Sequence, residues 1–250
     1  MSTVTAGTLR IDEYGDAALL IGSSAPTREA QWAAMQTIGI RLRGAHLPGI
    51  ESVVATFDSL LVTFDPLAAD ADHLTSWIVE HGQGDGAVLD TGRTHRIPVL
   101  YGGDGGPDLE AVAAELEITV ADFVEQHAGT RWRVAFNGAP GGAPLHEGSP
   151  FDRPIPRMPE PRVRIPVGTV AVSGHQGTFY TIPSPGGWRC IGRTPLRIVD
   201  PDGDRFVAIE PGDGLRFHPV SEREFTETPA RFIGEVEPDT EPVHGDGVLR

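Results

Sequence analysis

At 250 residues and 39% hydrophobic content, the chain is long enough to bury the core of one large domain or two small ones. Its formal charge of −15 repels phosphate backbones and anionic lipid, which argues against nucleic-acid and membrane partners. All 20 basic residues are arginine, so Schiff-base chemistry is excluded on this chain, as is a Walker A loop, whose lysine must reach the β/γ-phosphates.

The N-terminal stretch MSTVTAGTLRIDEYGD lacks the charged-then-apolar order of a signal peptide. Residues 9–21 (LRIDEYGDAALLI) read as two short strands around the turn pair Gly15-Asp16. Residues 27–43 read as a helix, with Thr27 as its N-cap and Trp32, Met35, Ile38 and Leu42 at helical spacing. After the breaker HLPGI, residues 50–57 and 60–64 form a hairpin around Asp58-Ser59. Leu74, Trp77, Ile78 and His81 mark a second helix, and GQGDGAVLDTG reads as a linker or exposed loop. A strand at 94–100 would complete a split β-α-β layout, so residues 1–92 are expected to form a small α/β domain of ferredoxin-like type.

RIPVLYGGDGGPD reads as a strand ending in a Gly-rich turn, with Pro107 opening a helix whose face is Leu109, Val112, Ala113 and Leu116. Thr119 and Asp122 resemble a capping box for a second helix, with Val120, Phe123, Val124 and His127 on one side. From Gly129 to about Val220 the chain is strand and turn: RWRVAFNG, RVRIPVGTVAVSG, GTFYTIPS, PLRIVD and FVAIEPGDGLRFHPV. Many short strands in a chain with 31 glycines and 22 prolines indicate a barrel or sandwich, placed at residues 93–221. Residues 222–250 form an acidic, Pro-rich tail expected to be disordered or draped on the surface.

The chemical signals are sparse. The nine histidines form no HxH, HExxH or Cys/His cluster, so no metal site is expected. No G-x-S-x-G occurs. Cys190, the single cysteine, cannot close an internal disulfide, which fits a reducing compartment, and its neighbours suggest an inert strand interior. With no apolar run near the roughly 20 residues of a membrane span, a soluble cytoplasmic protein is expected. In GGDGGPDLE, Asp108 would itself repel a phosphate, which favours a plain strand-to-helix turn. NGAPGGAPLHEG reads equally as a surface loop or as a loop whose backbone approaches a ligand. His127 faces apolar residues, the usual place of a core histidine, and His175-Gln176 reads as a polar hairpin tip. SPGGWRCIGRTP leaves two readings open: a backbone cradle for an anion, or a rigid corner that lays Trp188 against a barrel.

In colinear order over about residues 9–221, the chain resembles the B-subunit family of bacterial 5-oxoprolinase, also called allophanate hydrolase subunit 1. The family includes the sporulation kinase inhibitor of bacilli. The resemblance is carried by Gly15-Asp16-Ala17, LPGIESVVATFDSLLVTFDP, IPVLYGGDGGPDLEAVA, SPGGWRCIGRTPLRIVDP and PGDGLRFHPVS. It implies an α+β protein, a small N-terminal α/β domain followed by a cyclophilin-like β-barrel. It also implies a component of an ATP-dependent complex that, with subunits C and A, opens the lactam of 5-oxo-L-proline to L-glutamate and is inactive alone, with ATP bound alongside the partner subunits. Residue by residue it implies catalytic roles for His127 and Gln176, and substrate contacts at Gly138, Pro140, Gly141 and Arg193. It further favours SPGGW as a rigid corner. The sequence departs from the family at the loop GAPGGAPL, which lacks two phenylalanines and a tyrosine. That strips an apolar wall at roughly 1.5–3 kcal/mol per fully buried side chain. Two alternatives stay open: a non-catalytic module that inhibits a histidine kinase, and a carboxyltransferase-like component of an allophanate or urea amidolyase system.

Overall fold

A computed structural model of the chain describes residues 3–82, 93–138, 140–203 and 206–240. The chain divides into two units, Met1–Leu89 and Asp90–Arg250. Nearly all of the expected loop GQGDGAVLDTG lies outside the described residues.

In the first unit the elements are β1 (Thr3–Ala6), β2 (Leu9–Glu13), β3 (Ala18–Ser23), α1 (Arg28–Ala45), β4 (Ile50–Ala55), β5 (Ser59–Phe64) and α2 (Ala71–His81). The Thr27 hydroxyl accepts from the Ala30 N–H at 3.1 Å and so starts α1, while left-handed His46 ends it before Pro48. Met35, Ile38 and Leu42 of α1 meet Leu19, Ile21, Leu60 and Val62 of the sheet in one buried core with Leu74 and Ile78 of α2. The sheet is antiparallel with order β1-β2-β3-β5-β4, so β5 lies between β3 and β4 in a split β-α-β arrangement. The expected closing strand at 94–100 does not join it. The place beside β3 is taken by β2, which arrives through the hairpin turn at Gly15, where φ is +72°. A hairpin partner needs only a short turn, whereas a strand entering from beyond α2 must close a longer loop.

The second unit contains β6 (Arg93–Tyr101), α3 (Leu109–Glu115), α4 (Val120–Gly129), β7 (Trp132–Gly138), β8 (Ala143–Glu147), β9 (Arg162–Ile165), β10 (Thr169–Ser173), β11 (Gln176–Phe179), β12 (Ser184–Gly186), β13 (Arg189–Arg193), β14 (Gly214–Pro219), α5 (Glu222–Glu227) and β15 (Asp239–Thr240). Seven strands close a barrel in the order β6-β13-β10-β11-β8-β7-β14, and β14 returns to β6 as the parallel pair. Closure removes the free sheet edges that would otherwise template association. Ile97, Val99, Trp132, Val134, Val170, Val172, Phe179, Ile191, Leu215 and Phe217 fill the interior, with α3 and α4 adding Leu109, Val112 and Phe123. The Thr119–Asp122 capping box opens α4 as its spacing predicts, although Val120 at the first turn is exposed. α3 begins at Leu109, so Pro107 precedes the helix instead of opening it.

Two further expectations fail. PLRIVD and FVAIE are not strands; they make only the isolated bridges Arg197↔Phe232 and Val199↔Val207. Pro195, Pro201 and Pro211 have no N–H to give a ladder. The tail is ordered over residues 222–240. Ser221 and Glu224 form a capping box on α5, Phe232 and Ile233 enter the barrel core, and Asp239 pairs with Thr94. Burying those two apolar side chains contributes about 1.5–3 kcal/mol each, which offsets the ordering of a short polar segment.

Candidate functional site

Inside the barrel, α4 delivers His127 and β8 delivers His146. Neither has any exposed surface. The His127 ring packs 4.6 Å from Phe217, 5.0 Å from Trp132 and 5.9 Å from Phe123, centroid to centroid, and Trp132 Nε1 donates to the His127 carbonyl at 3.1 Å. Its Nδ1 is hydrogen-bonded to the Tyr101 hydroxyl at 2.8 Å. His146 Nδ1 lies 3.3 Å from the Pro144 carbonyl. A carbonyl only accepts, so in the neutral ring this nitrogen carries the hydrogen and Nε2 is bare. Both Nε2 atoms lack a hydrogen-bond partner among the described residues.

Burial pushes the pKa of His127 down to about 3, and nearby His146 adds to the shift. Burial takes His146 to about 3 as well, against the Pro144 carbonyl, which favours the charged ring. Both are therefore neutral at physiological pH. The His146 ring lies across Gly177, where an added Cβ would stand 2.2 Å from Nε2. His127, expected as a catalytic residue, is fully buried in this structure, with the Tyr101 hydroxyl on its Nδ1.

The other predicted residues divide between the two ends of β11. Gln176 opens the strand opposite Ser173 and Glu147 and is half-buried. At the far end the chain forms a rim. Arg193 pairs with Thr169, the Tyr180 N–H donates to the Thr169 carbonyl at 2.9 Å, and the Gly168 N–H donates to the Tyr180 carbonyl at 2.8 Å. The next residue, Thr181, is buried, and its hydroxyl lies 3.2 Å from the Pro140 carbonyl and 2.9 Å from that of Gly141. Gly138 ends β7 opposite Ala143, with Leu145 filling the space where its Cβ would be. Arg193, Pro140, Gly141 and Gly138 thus share one rim, and Gln176 does not. The Arg193 side chain is exposed, and among the described residues no carboxylate pairs with it.

The SPGGW stretch is a rigid corner. β12 pairs with β9, and a Cβ on Gly186 would stand 1.9 Å from the Tyr180 hydroxyl oxygen. Trp188 covers a small cluster of Ile165, Ala171, Tyr180 and Cys190, with the Arg157 guanidinium 5.8 Å from its ring centroid. Burial pushes the Cys190 thiol up to about 11, so it is neutral and inert.

Sequence reading missed His146 and Asp213, and it placed Asp108 in the turn before the helix without the partners the structure gives it. Asp108 does not cap α3; it accepts two 2.8 Å bonds from Arg162 and one of 2.7 Å from the Cys190 N–H. Buried Asp213 accepts from Arg93, from the Glu210 N–H at 2.9 Å and from His95 Nε2 at 3.0 Å. Each aspartate sits in a Gly/Pro-rich turn, as turn chemistry allows, but its arginine partner lies 54 or 120 residues away, beyond any local signal.

The fold and site define a two-unit α/β and closed-barrel protein with a cationic, glycine-lined rim. No helix among the described residues is long and apolar enough to cross a membrane. Residues 9–209 match the family described as carboxyltransferase domain, subdomain C and D. The chain is 32% identical over 212 residues to the B subunit of 5-oxoprolinase from Escherichia coli O157:H7, an alignment covering 83% of this chain and 94% of that protein. The chain belongs to the 5-oxoprolinase B-subunit family of these carboxyltransferase-domain proteins. Among solved structures, TTHA0988 is 27% identical with a TM-score of 0.71 over 82% of this chain, which spans only 40% of that longer chain. The Kluyveromyces lactis urea carboxylase, 16% identical with a TM-score of 0.70, matches 91% of this chain and 23% of its own, a likeness of fold.

Proposed function

We propose that this chain is the B subunit of an ATP-dependent 5-oxoprolinase-type complex that, with subunits C and A, opens the lactam of 5-oxo-L-proline to L-glutamate. The reading is carried by the 32% identity spanning 94% of the E. coli protein. A lactam carbonyl is a poor electrophile because the ring nitrogen donates into it. ATP bound elsewhere in the complex would supply the activation by phosphorylating the amide oxygen, with ADP released. The residues of this chain do not fit a polyphosphate. The chain has no lysine, and its Gly-rich turn carries Asp104 and ties up the N–H of Gly102 and Gly106 on the Ile191 and Gly102 carbonyls. ATP binding is accordingly given to the partner subunits.

This chain's part is positional. Arg193, which has no ion-pair partner among the described residues, supplies a guanidinium for the substrate carboxylate, and Thr181 fixes the Pro140–Gly141 backbone at the same end of the barrel. The test is co-expression with the C and A partners and an assay for 5-oxo-L-proline-dependent ADP and glutamate release. Turnover that falls at least tenfold with Arg193→Ala, in an intact complex, supports the reading. A stable complex without turnover overturns the substrate, and failure to form a complex overturns the assembly.

A further inference from the structure

The end of the barrel that carries Arg193 also carries an apolar surface. Gly141 and Gly142 have φ of +67° and +71°, a backbone region that L side chains rarely adopt. A Cβ on Gly141 would stand 3.0 Å from Ile182 Cγ2, and one on Gly142 would stand 2.6 Å from Val207 Cγ2 and 3.3 Å from Phe206 Cε1. The bare backbone of the turn is therefore laid directly on Ile182, Val207 and Phe206. Thr181 locks it there by bonding the carbonyls of Pro140 and Gly141. Ile182 remains 40% exposed and Phe206 49% exposed. With no side chain on Gly141 or Gly142 to cover them, these two faces look outward past the turn, on the rim that also bears Arg193.

We infer that Ile182 and Phe206 form the apolar wall of the substrate site and set the size of the apolar body it accepts, an inference that rests on the proposed function. An anion with a compact apolar ring places its carboxylate on a cation and its CH₂ edge against aliphatic and aromatic carbon, where each buried methylene stabilises binding. The wall acts in ground-state binding and touches no reacting atom, so its loss raises KM and spares kcat.

The experiment measures steady-state kinetics of the assembled complex with 5-oxo-L-proline, using Phe206→Ala, Ile182→Ala and Phe206→Leu, with complex formation checked by size exclusion. The expected result is a KM raised about five- to tenfold by each alanine with kcat within twofold, and partial recovery with Phe206→Leu. Unchanged KM in both alanine variants of an active complex overturns the wall and leaves the proposed function standing. Complexes that fall apart on either substitution overturn it too, because the two side chains are then contacts between subunits. If the wild-type complex does not turn over 5-oxo-L-proline at all, the proposed function fails and the wall falls with it.

Discussion

Inside the barrel, two histidines, a residue type that often serves as an acid–base group, are sealed among Phe123, Trp132, Phe179 and Phe217, and each has lost its charge. At the rim, an exposed arginine shares the end of the barrel with a glycine turn and finds no ion-pair partner among the described residues. Desolvation separates the two. A charged imidazole in an apolar core costs several kcal/mol, so the ring stays neutral and acts as a flat packing piece with one polar edge. A guanidinium in water keeps its charge at no such cost and is available to an incoming carboxylate. Residue type nominates chemistry, and solvent access decides whether it is expressed.

The largest effect is expected inside the barrel. Gly177→Ala puts a methyl 2.2 Å from His146 Nε2, with strand backbone on one side and a fully buried ring on the other. We expect a loss of about 3 kcal/mol or more in urea unfolding, and partial recovery in the double variant with His146→Ala. Full stability in Gly177→Ala alone would show that the interior is not closed over His146.

Acid provides the next test. An unfolded histidine takes up a proton near pH 6.5, but His127 and His146 do so only near pH 3 in the folded barrel. Below pH 6.5 the unfolded state binds more protons, so stability is fully present above that pH and is lost as pH falls toward 3. Each histidine contributes a slope of about 1.4 kcal/mol per pH unit in that window. Urea titrations at pH 7, 5.5 and 4.5 should show this slope, and His127→Phe should reduce it by about one proton's worth. An unaltered slope would mean that His127 is not buried and neutral.

At neutral pH the same His127→Phe variant should be much milder. It keeps a flat ring and removes the unpartnered Nε2, at the expense of a larger ring and the Tyr101 hydrogen bond, so the change should stay near the low end of the roughly 1–3 kcal/mol that overpacking costs, by thermal and urea unfolding. If the folded variant still assembles but loses turnover, the interior must open to substrate during the reaction. The smallest effect belongs to the rim: Arg193→Ala should change stability by less than about 0.5 kcal/mol, because it loses no ion pair among the described residues. A larger drop in unfolding free energy would make Arg193 a structural residue.

Local signals survived into the structure where they needed only neighbours in sequence. The Thr27 cap, the Thr119–Asp122 box, the Gly15 hairpin and the apolar faces of both N-terminal helices are examples. They failed where a segment's fate hung on distant partners. The strand at 93–101 joined the barrel because β13 and β14 offered it ladders on both sides. Phe232 and Ile233, two apolar residues in an acidic stretch, were drawn into a core built from residues far upstream.

Residue order and composition were enough to establish a small α/β unit ahead of a barrel, the lack of lysine-based phosphate chemistry, and the family that the chain resembles. The family resemblance in turn nominated Arg193 and the Pro140–Gly141 turn. Folding in three dimensions put His127 and His146 inside, set Gln176 at the opposite end of β11 from that turn, and brought Ile182 and Phe206 beside it. Periodicity and capping are written over a few residues, whereas burial and charge state depend on which strands meet across the barrel.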